Sequence, residues 1–176
     1  PWNLELLAET VLGAVDLAKA RAVPCDGCTE LLWFDDDVPA GATEIGPVGP
    51  QDNWVWVYDS PSPPSGRRAH DAPFVPDWPG SSGHRFFGAS PQSSMTIGPD
   101  ETLFAYVYLH ASQMPSELRV TWGTSSQTHQ AIWGRNWWEP QDWVGELPPP
   151  NTWFRLEVPA QRVGLGIDGN VMISAM

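Results

Sequence analysis

Proline and glycine recur so often along this chain, and so evenly, that few stretches are long enough to sustain a helix. The sequence holds 19 Pro and 16 Gly among 176 residues, about a fifth of the chain against a usual share of about an eighth. Proline fixes φ and removes a backbone donor, while glycine opens turn conformations closed to other residues. Spread through a chain, they impose many short segments joined by turns. Disorder is not the outcome, because 41% of the residues are hydrophobic and 11 are Trp, ample apolar surface for a core. The length fits one domain.

From residue 30 onward, short runs rich in β-branched and aromatic residues alternate with Gly, Pro, Asn and Asp, the pattern of strands and turns. Strands are expected at 30–35, 54–59, 84–88, 93–97, 102–110, 117–123, 128–133, 152–158 and 170–175. The clearest is Thr102 to Leu109. There Leu103, Ala105, Val107 and Leu109 point one way and Phe104, Tyr106 and Tyr108 the other, so the strand should be central, with both faces covered. The polar, Pro-rich stretches 60–83 and 134–151 read as long loops. Strands at this spacing, without helices between them, argue for a mainly β fold, an antiparallel β-sandwich or jelly roll.

The first residues read differently. Apolar residues at Leu4, Leu7, Val11, Val15 and Ala18 follow the spacing of one helical face. Asn3 suits an N-cap, Glu5 and Glu9 the positive end, Lys19 and Arg21 the negative end, and Pro24 a stop. The expectation is therefore one short N-terminal helix with its linker over 1–24 and a sandwich over 25–176. Trp2, Leu6, Leu12 and Leu17 fall outside the stripe, so such a helix would need cover from the sandwich or from a neighbouring domain or subunit.

Charge narrows the partners. With 21 acidic and 9 basic residues the formal net charge is −12, which repels phosphate backbones and anionic lipid surfaces at long range. Neither nucleic acid nor membrane is an expected partner. No run approaches the roughly 18 apolar residues of a membrane span. The chain opens at Pro1 without an initiator Met, and the expectation is that a preceding segment, a secretion signal among the options, has been removed.

Cys25 and Cys28 stand in Cys-Asp-Gly-Cys. A lone pair at this spacing can be a small disulfide loop, a redox pair, half of a zinc site or two free thiols. A structural disulfide is the favoured reading. Covalent haem attachment would want His after the second Cys, where Thr29 stands.

Four stretches carry a resemblance. They are Asp36-Asp37-Val38-Pro39-Ala40-Gly41-Ala42, Asp100 through Leu109, His129-Gln130-Ala131-Ile132-Trp133-Gly134, and Trp153 through Ala160 with Val163-Gly164-Leu165. In this order they resemble a β-sandwich module of large bacterial proteins, notably planctomycete multidomain surface or cytochrome-associated proteins and Rhs-type repeat proteins. That module is similar in outline to LamG-like and carbohydrate-binding jelly rolls. The resemblance implies a fold, an accessory role in a secreted or cell-surface protein, and no particular substrate. It also implies a further Asp-containing strand after Met176, so the chain is expected to be trimmed or to lack an edge strand.

Tryptophan is the best pointer to a ligand, because sugar rings stack their C–H faces on aromatic rings while their hydroxyls bond to Asn, Gln, Asp and Arg. The candidate ligand-binding set is Arg135, Asn136, Trp137, Trp138, Gln141 and Trp143, near Trp133 and Asp142. Trp137, Trp138 and Trp143 fall in a polar loop, whereas Trp133 and Trp153 sit in strands and are expected in the core. Core is also the better reading for Trp54 and Trp56. Asp35, Asp36 and Asp37 are the candidate metal set, for calcium, which takes several carboxylate and carbonyl oxygens; a solvated loop entry is the plainer alternative.

Catalysis finds little support. No Gly-x-Ser-x-Gly elbow, His-Glu-x-x-His or phosphate-binding glycine loop occurs. Carboxylates at Glu101, Glu117, Glu139 and Glu157 are available in principle for glycoside hydrolysis, but Glu157 is more simply a partner for Arg155, and no constellation fills the required roles. The function expected from sequence is a non-catalytic accessory module that binds a glycan or polysaccharide through aromatic residues. The other reading is a structural or adhesive domain of an extracellular multidomain protein or assembly.

Overall fold

The computed structural model describes residues 15–21, 30–45, 55–59, 61–72, 83–124, 127–135, 140–167, 171–173 and 176. Thirteen strands occur in this order among the described residues: β1 (Val15–Arg21), β2 (Leu32–Phe34), β3 (Thr43–Ile45), β4 (Val55–Val57), β5 (Ala69–Ala72), β6 (Arg85–Phe87), β7 (Met95–Ile97), β8 (Thr102–Leu109), β9 (Glu117–Gly123), β10 (Thr128–Gly134), β11 (Trp143–Gly145), β12 (Trp153–Pro159) and β13 (Val171–Ile173). Three single-turn 3-10 segments link some of them. The fold is mainly β, as the spacing of turn residues requires.

Six strands make the larger sheet, ordered β12-β8-β1-β5-β4, with β2 joined to the end of β1. Three smaller sheets, β11-β10-β9, β13-β7 and β3-β6, complete the architecture. All pairings are antiparallel except the short β10–β11 contact. One buried cluster joins Leu103, Ala105, Val107, Leu156 and Val158 of the larger sheet to Phe86, Ile97, Leu118, Trp122, Trp133 and Ile173 of the smaller ones. Apolar faces of both layers therefore close on a single core, as in a β-sandwich.

β8 takes the central place that its sequence demands, between β12 and β1. Leu103, Ala105, Val107 and Leu109 are buried in the core. On the opposite face Phe104 is also only 2% exposed, because the guanidinium of Arg155 lies 3.6 Å from its ring centroid. Arg155 is held there by Glu30 at 3.3 Å and Glu157 at 2.7 Å. A cation stacked on an aromatic face and pinned by carboxylates thus substitutes for a second apolar layer.

The N-terminal segment departs from the helical expectation. Residues 15–21 are strand β1, paired along both edges: Leu17 stands opposite Val107 of β8 and opposite His70 of β5. Val15 and Leu17, with Asp16 between them, satisfy a two-residue period, while Val15 and Ala18 fit the helical one; the edges of β8 and β5 decide between the two by supplying backbone partners. This part of the expected helix and linker therefore belongs to the larger sheet. The rest of the expected helix, residues 1–14, lies outside the described residues, as do Cys25 and Cys28. The two expected long loops also contain strands, β5 in the first and β11 in the second. Both are short; β5 carries His70 and Asp71 and takes its pairing from β1, more than fifty residues away, while the three residues of β11 lie beside β10.

Candidate functional site

The register of β9 and β10 sorts their side chains. Leu118 stands opposite Trp133 and Val120 opposite Ala131, and all four are buried in the core. Alternation then sends Glu117, Arg119 and Thr121 of β9, with Gln130 and Ile132 of β10, to the other face. There Glu117, Arg119 and Gln130 form a polar row that continues to Asp142. Arg119 Nη2 donates to Glu117 Oε1 at 2.9 Å, Arg119 Nη1 to Gln130 Oε1 at 3.4 Å, and Gln130 Nε2 to Asp142 Oδ2 at 2.8 Å. The hydroxyl of Thr121, 3% exposed, stands opposite Gln130 with no hydrogen-bond partner among the described residues.

Trp143 stands at the edge of this row, beside Ile132 in the parallel β10–β11 contact. It is 38% exposed, and its Nε1 donates to the carbonyl of Gly134 at 2.8 Å. Two features fix the ring's position. Gly134 has φ +86°, and a Cβ there would lie 2.6 Å from Ser116 O and 2.8 Å from Leu147 Cγ, so only glycine fits. Arg162 donates from Nη1 to Gln141 O at 2.5 Å and from Nη2 to Trp143 O at 2.8 Å, holding the backbone that carries the ring.

The loop set expected from sequence is thus divided. Trp143 and Gln141 stand at the surface beside Asp142, and Arg135 is exposed, its amide donating to Ser116 O at 2.8 Å. Trp133 is in the core, as expected. Asn136, Trp137 and Trp138 lie outside the described residues. Trp153, expected in the core, is half-buried on the outer face of the larger sheet, opposite Tyr108, with its Nε1 donating to Ser62 O at 2.7 Å. Its register, set by β8, puts it out of phase with Leu156 and Val158. The participation of Arg119, Thr121 and Gln130 went unread in the sequence, although the alternation Glu117-Leu118-Arg119-Val120-Thr121-Trp122 carries it.

Asp35, Asp36 and Asp37 enter a loop docked against residues 66–68. Asp36 Oδ1 accepts the amides of Arg67 at 2.6 Å and Arg68 at 2.9 Å, and its own carbonyl accepts Arg68 Nε. Burial opposes the charge of Asp36, but those amides and the Arg67 guanidinium outweigh it and hold the carboxyl below its ordinary pKa. Asp37 Oδ2 lies 3.6 Å from Arg68 Nη2. Calcium takes six to eight oxygens; here Asp36 is engaged with nitrogen donors, and no group of three or more His, Cys, Asp or Glu suited to a metal ion occurs among the described residues.

Two histidines meet in the interior. His70 and His84, 1% and 2% exposed, place their Nδ1 atoms 2.9 Å apart. Burial, and then the neighbouring His84, push the His70 imidazole well below its ordinary pKa. His129 Nδ1 donates to Val163 O at 2.8 Å, tying β10 to the turn after β12.

No family model matches the chain, and no curated protein or solved structure matches it. The resemblance to bacterial multidomain modules rests on the sequence stretches alone.

Proposed function

We propose that this chain is a non-catalytic module that binds a glycan at the Trp143 edge of the β9–β10–β11 sheet, as an accessory part of a secreted or cell-surface protein. One observation carries the reading: an exposed tryptophan, held rigidly by Gly134 and Arg162, stands beside the side-chain row Arg119–Gln130–Asp142. An aromatic face offers a stacking surface for a sugar ring, and amide, guanidinium and carboxylate groups at its edge suit vicinal hydroxyls. The partners of this row are already hydrogen-bonded to one another, so a ligand would meet preorganised groups.

The test is a glycan array with insoluble-polysaccharide pull-down, run with calcium and with chelator because Asp35, Asp36 and Asp37 were the candidate metal set. Wild type should bind at least one polysaccharide. Trp143→Ala should weaken that binding about five- to tenfold, the loss of one aromatic contact of about 1 kcal/mol or slightly more. Binding to no polysaccharide, or binding untouched by Trp143→Ala, would overturn the reading.

A second reading, a structural or adhesive domain, is favoured by β4. Among the described residues this strand pairs with β5 alone, and it leaves Val55 50% exposed and neighbouring Tyr58 53% exposed. Apolar residues at a sheet edge suit a contact with another domain or subunit.

A further inference from the structure

A separate cleft of about 410 Å³ opens between the stretch 31–40 and the turn 92–95. We infer that it binds a small organic cation: an ammonium group carried on an apolar or aromatic body. The inference is independent of the glycan reading and involves none of the residues on the β9–β10–β11 face.

The apolar part of the argument begins with Leu31 and Leu32. They line the cleft at 57% and 42% exposure, adjacent large apolar residues left open to solvent at the mouth of a concavity. Trp33 and Met95 extend the same wall. The indole of Trp33 is not free to swing. Its Nε1 donates to Ser93 O at 2.8 Å, and its ring packs edge-on against Phe86 at 5.2 Å between centroids. The turn opposite is equally fixed, because Ser93 Oγ donates to Ala40 O at 2.6 Å and Ser90 N to the same carbonyl at 3.1 Å. The cleft is therefore a preformed feature of the fold, of a size usual for small-molecule sites.

Charge selects the ligand's sign. Asp35 and Asp37 line the cleft, and the Asp37 side chain is 73% exposed at its edge. Behind them stand Asp36 and Glu44, against the two cations Arg67 and Arg68. Four carboxylates against two guanidiniums leave a local charge of −2 when all are ionised. Burial, and after it the neighbouring Asp37, raise the Glu44 pKa against the pull of Arg68. An anion would meet repulsion from these groups and from the chain's net charge of −12. An ammonium group would sit beside Asp37 while its apolar body covers Leu31, Leu32 and the Trp33 ring.

The probes are phenethylamine and its acidic counterpart 3-phenylpropanoate, titrated into the whole chain while backbone amide shifts are followed by NMR. Phenethylamine should give saturable shifts at the amides of residues 31–40 and 92–95, with a Kd in the millimolar range. Raising the salt from 20 to 300 mM should weaken it about threefold or more. Asp37→Asn, a surface change that leaves the fold intact, should also weaken it at least threefold. Leu32→Ser, a second variant at an exposed position, should do the same without altering the salt dependence. Equal binding of the acid and the amine, shifts confined to other parts of the chain, or no saturable shift with phenethylamine would each overturn the inference.

Discussion

Acidification from pH 7 to pH 5 should destabilise the fold through the buried imidazole pair of His70 and His84. Their Nδ1 atoms are 2.9 Å apart, a distance at which one nitrogen donates and the other accepts. The contact holds one hydrogen. A second proton would set two N–H donors against each other in a site 1–2% exposed, where a charge also loses its hydration. His70 consequently stays neutral in the folded chain well below its ordinary value of 6.5, whereas the unfolded chain protonates it near that value.

The sign follows directly. Below pH 6.5 the unfolded state binds a proton that the folded state refuses, so stability is present at neutral pH and falls as the pH drops, by up to about 1.4 kcal/mol per unit. Between pH 7 and pH 5 one such histidine, neutral throughout in the folded state, accounts for about 2 kcal/mol. That is a large fraction of the stability of an ordinary domain, about 5–15 kcal/mol. Carboxylates also titrate toward the lower end, so the measurement is a comparison. Urea unfolding followed by Trp fluorescence should be run at pH 7, 6, 5.5 and 5 on wild type and on His70→Gln, whose amide does not titrate. The variant is less stable at neutral pH, and the difference should shrink as the pH falls, by about 2 kcal/mol at pH 5. If His70→Gln does not fold, His70→Asn serves, because its amide likewise takes up no proton. Parallel stability curves for wild type and variant would refute the assignment of acid sensitivity to this pair.

Three other outcomes follow from named contacts. Gly134→Ala should cost about 2–4 kcal/mol, from a left-handed backbone now carrying a Cβ against Ser116 O and Leu147, and should displace the Trp143 indole; thermal unfolding and the accessibility of Trp143 to acrylamide check both. Asp36 sits at φ +56°, so Asp36→Asn should cost less than about 1 kcal/mol, since Asn tolerates positive φ and still accepts the two Arg amides, whereas Asp36→Ala should cost about 2–3 kcal/mol by leaving both amides without an acceptor; equal costs would show that charge, not amide acceptance, holds the loop. Truncating Trp122, which is 2% exposed, to Ala should cost about 3–5 kcal/mol as a core cavity opens, and denaturant unfolding at neutral pH measures it.

Much of the fold was legible in the sequence. Nine strands were expected from alternation and punctuation, and each has a counterpart among the observed strands; turn residues and two-residue periodicity act locally, so a sequence displays them. β8 was recognised as central because both of its faces are apolar. The partnership of Arg155 with Glu157 was read from a two-residue spacing and is present at 2.7 Å. Trp143 and Gln141, expected in a polar stretch, stand at the surface.

What tertiary structure decided was whatever depends on partners far away in the chain. Residues 15–21 suit a helix or a strand almost equally, and only the free edges of β5 and β8 make them β1. Asp36 is an acceptor for the amides at 67 and 68 because a loop over thirty residues away docks on it. His70 and His84 look like ordinary surface-compatible residues until β5 and the residue leading into β6 bring their rings together away from water. The row Arg119–Gln130–Asp142 exists only through the β9–β10 register and the return of β11. Local propensity is written residue by residue, whereas pairing, burial and the charge states that burial imposes are properties of the assembled sheets.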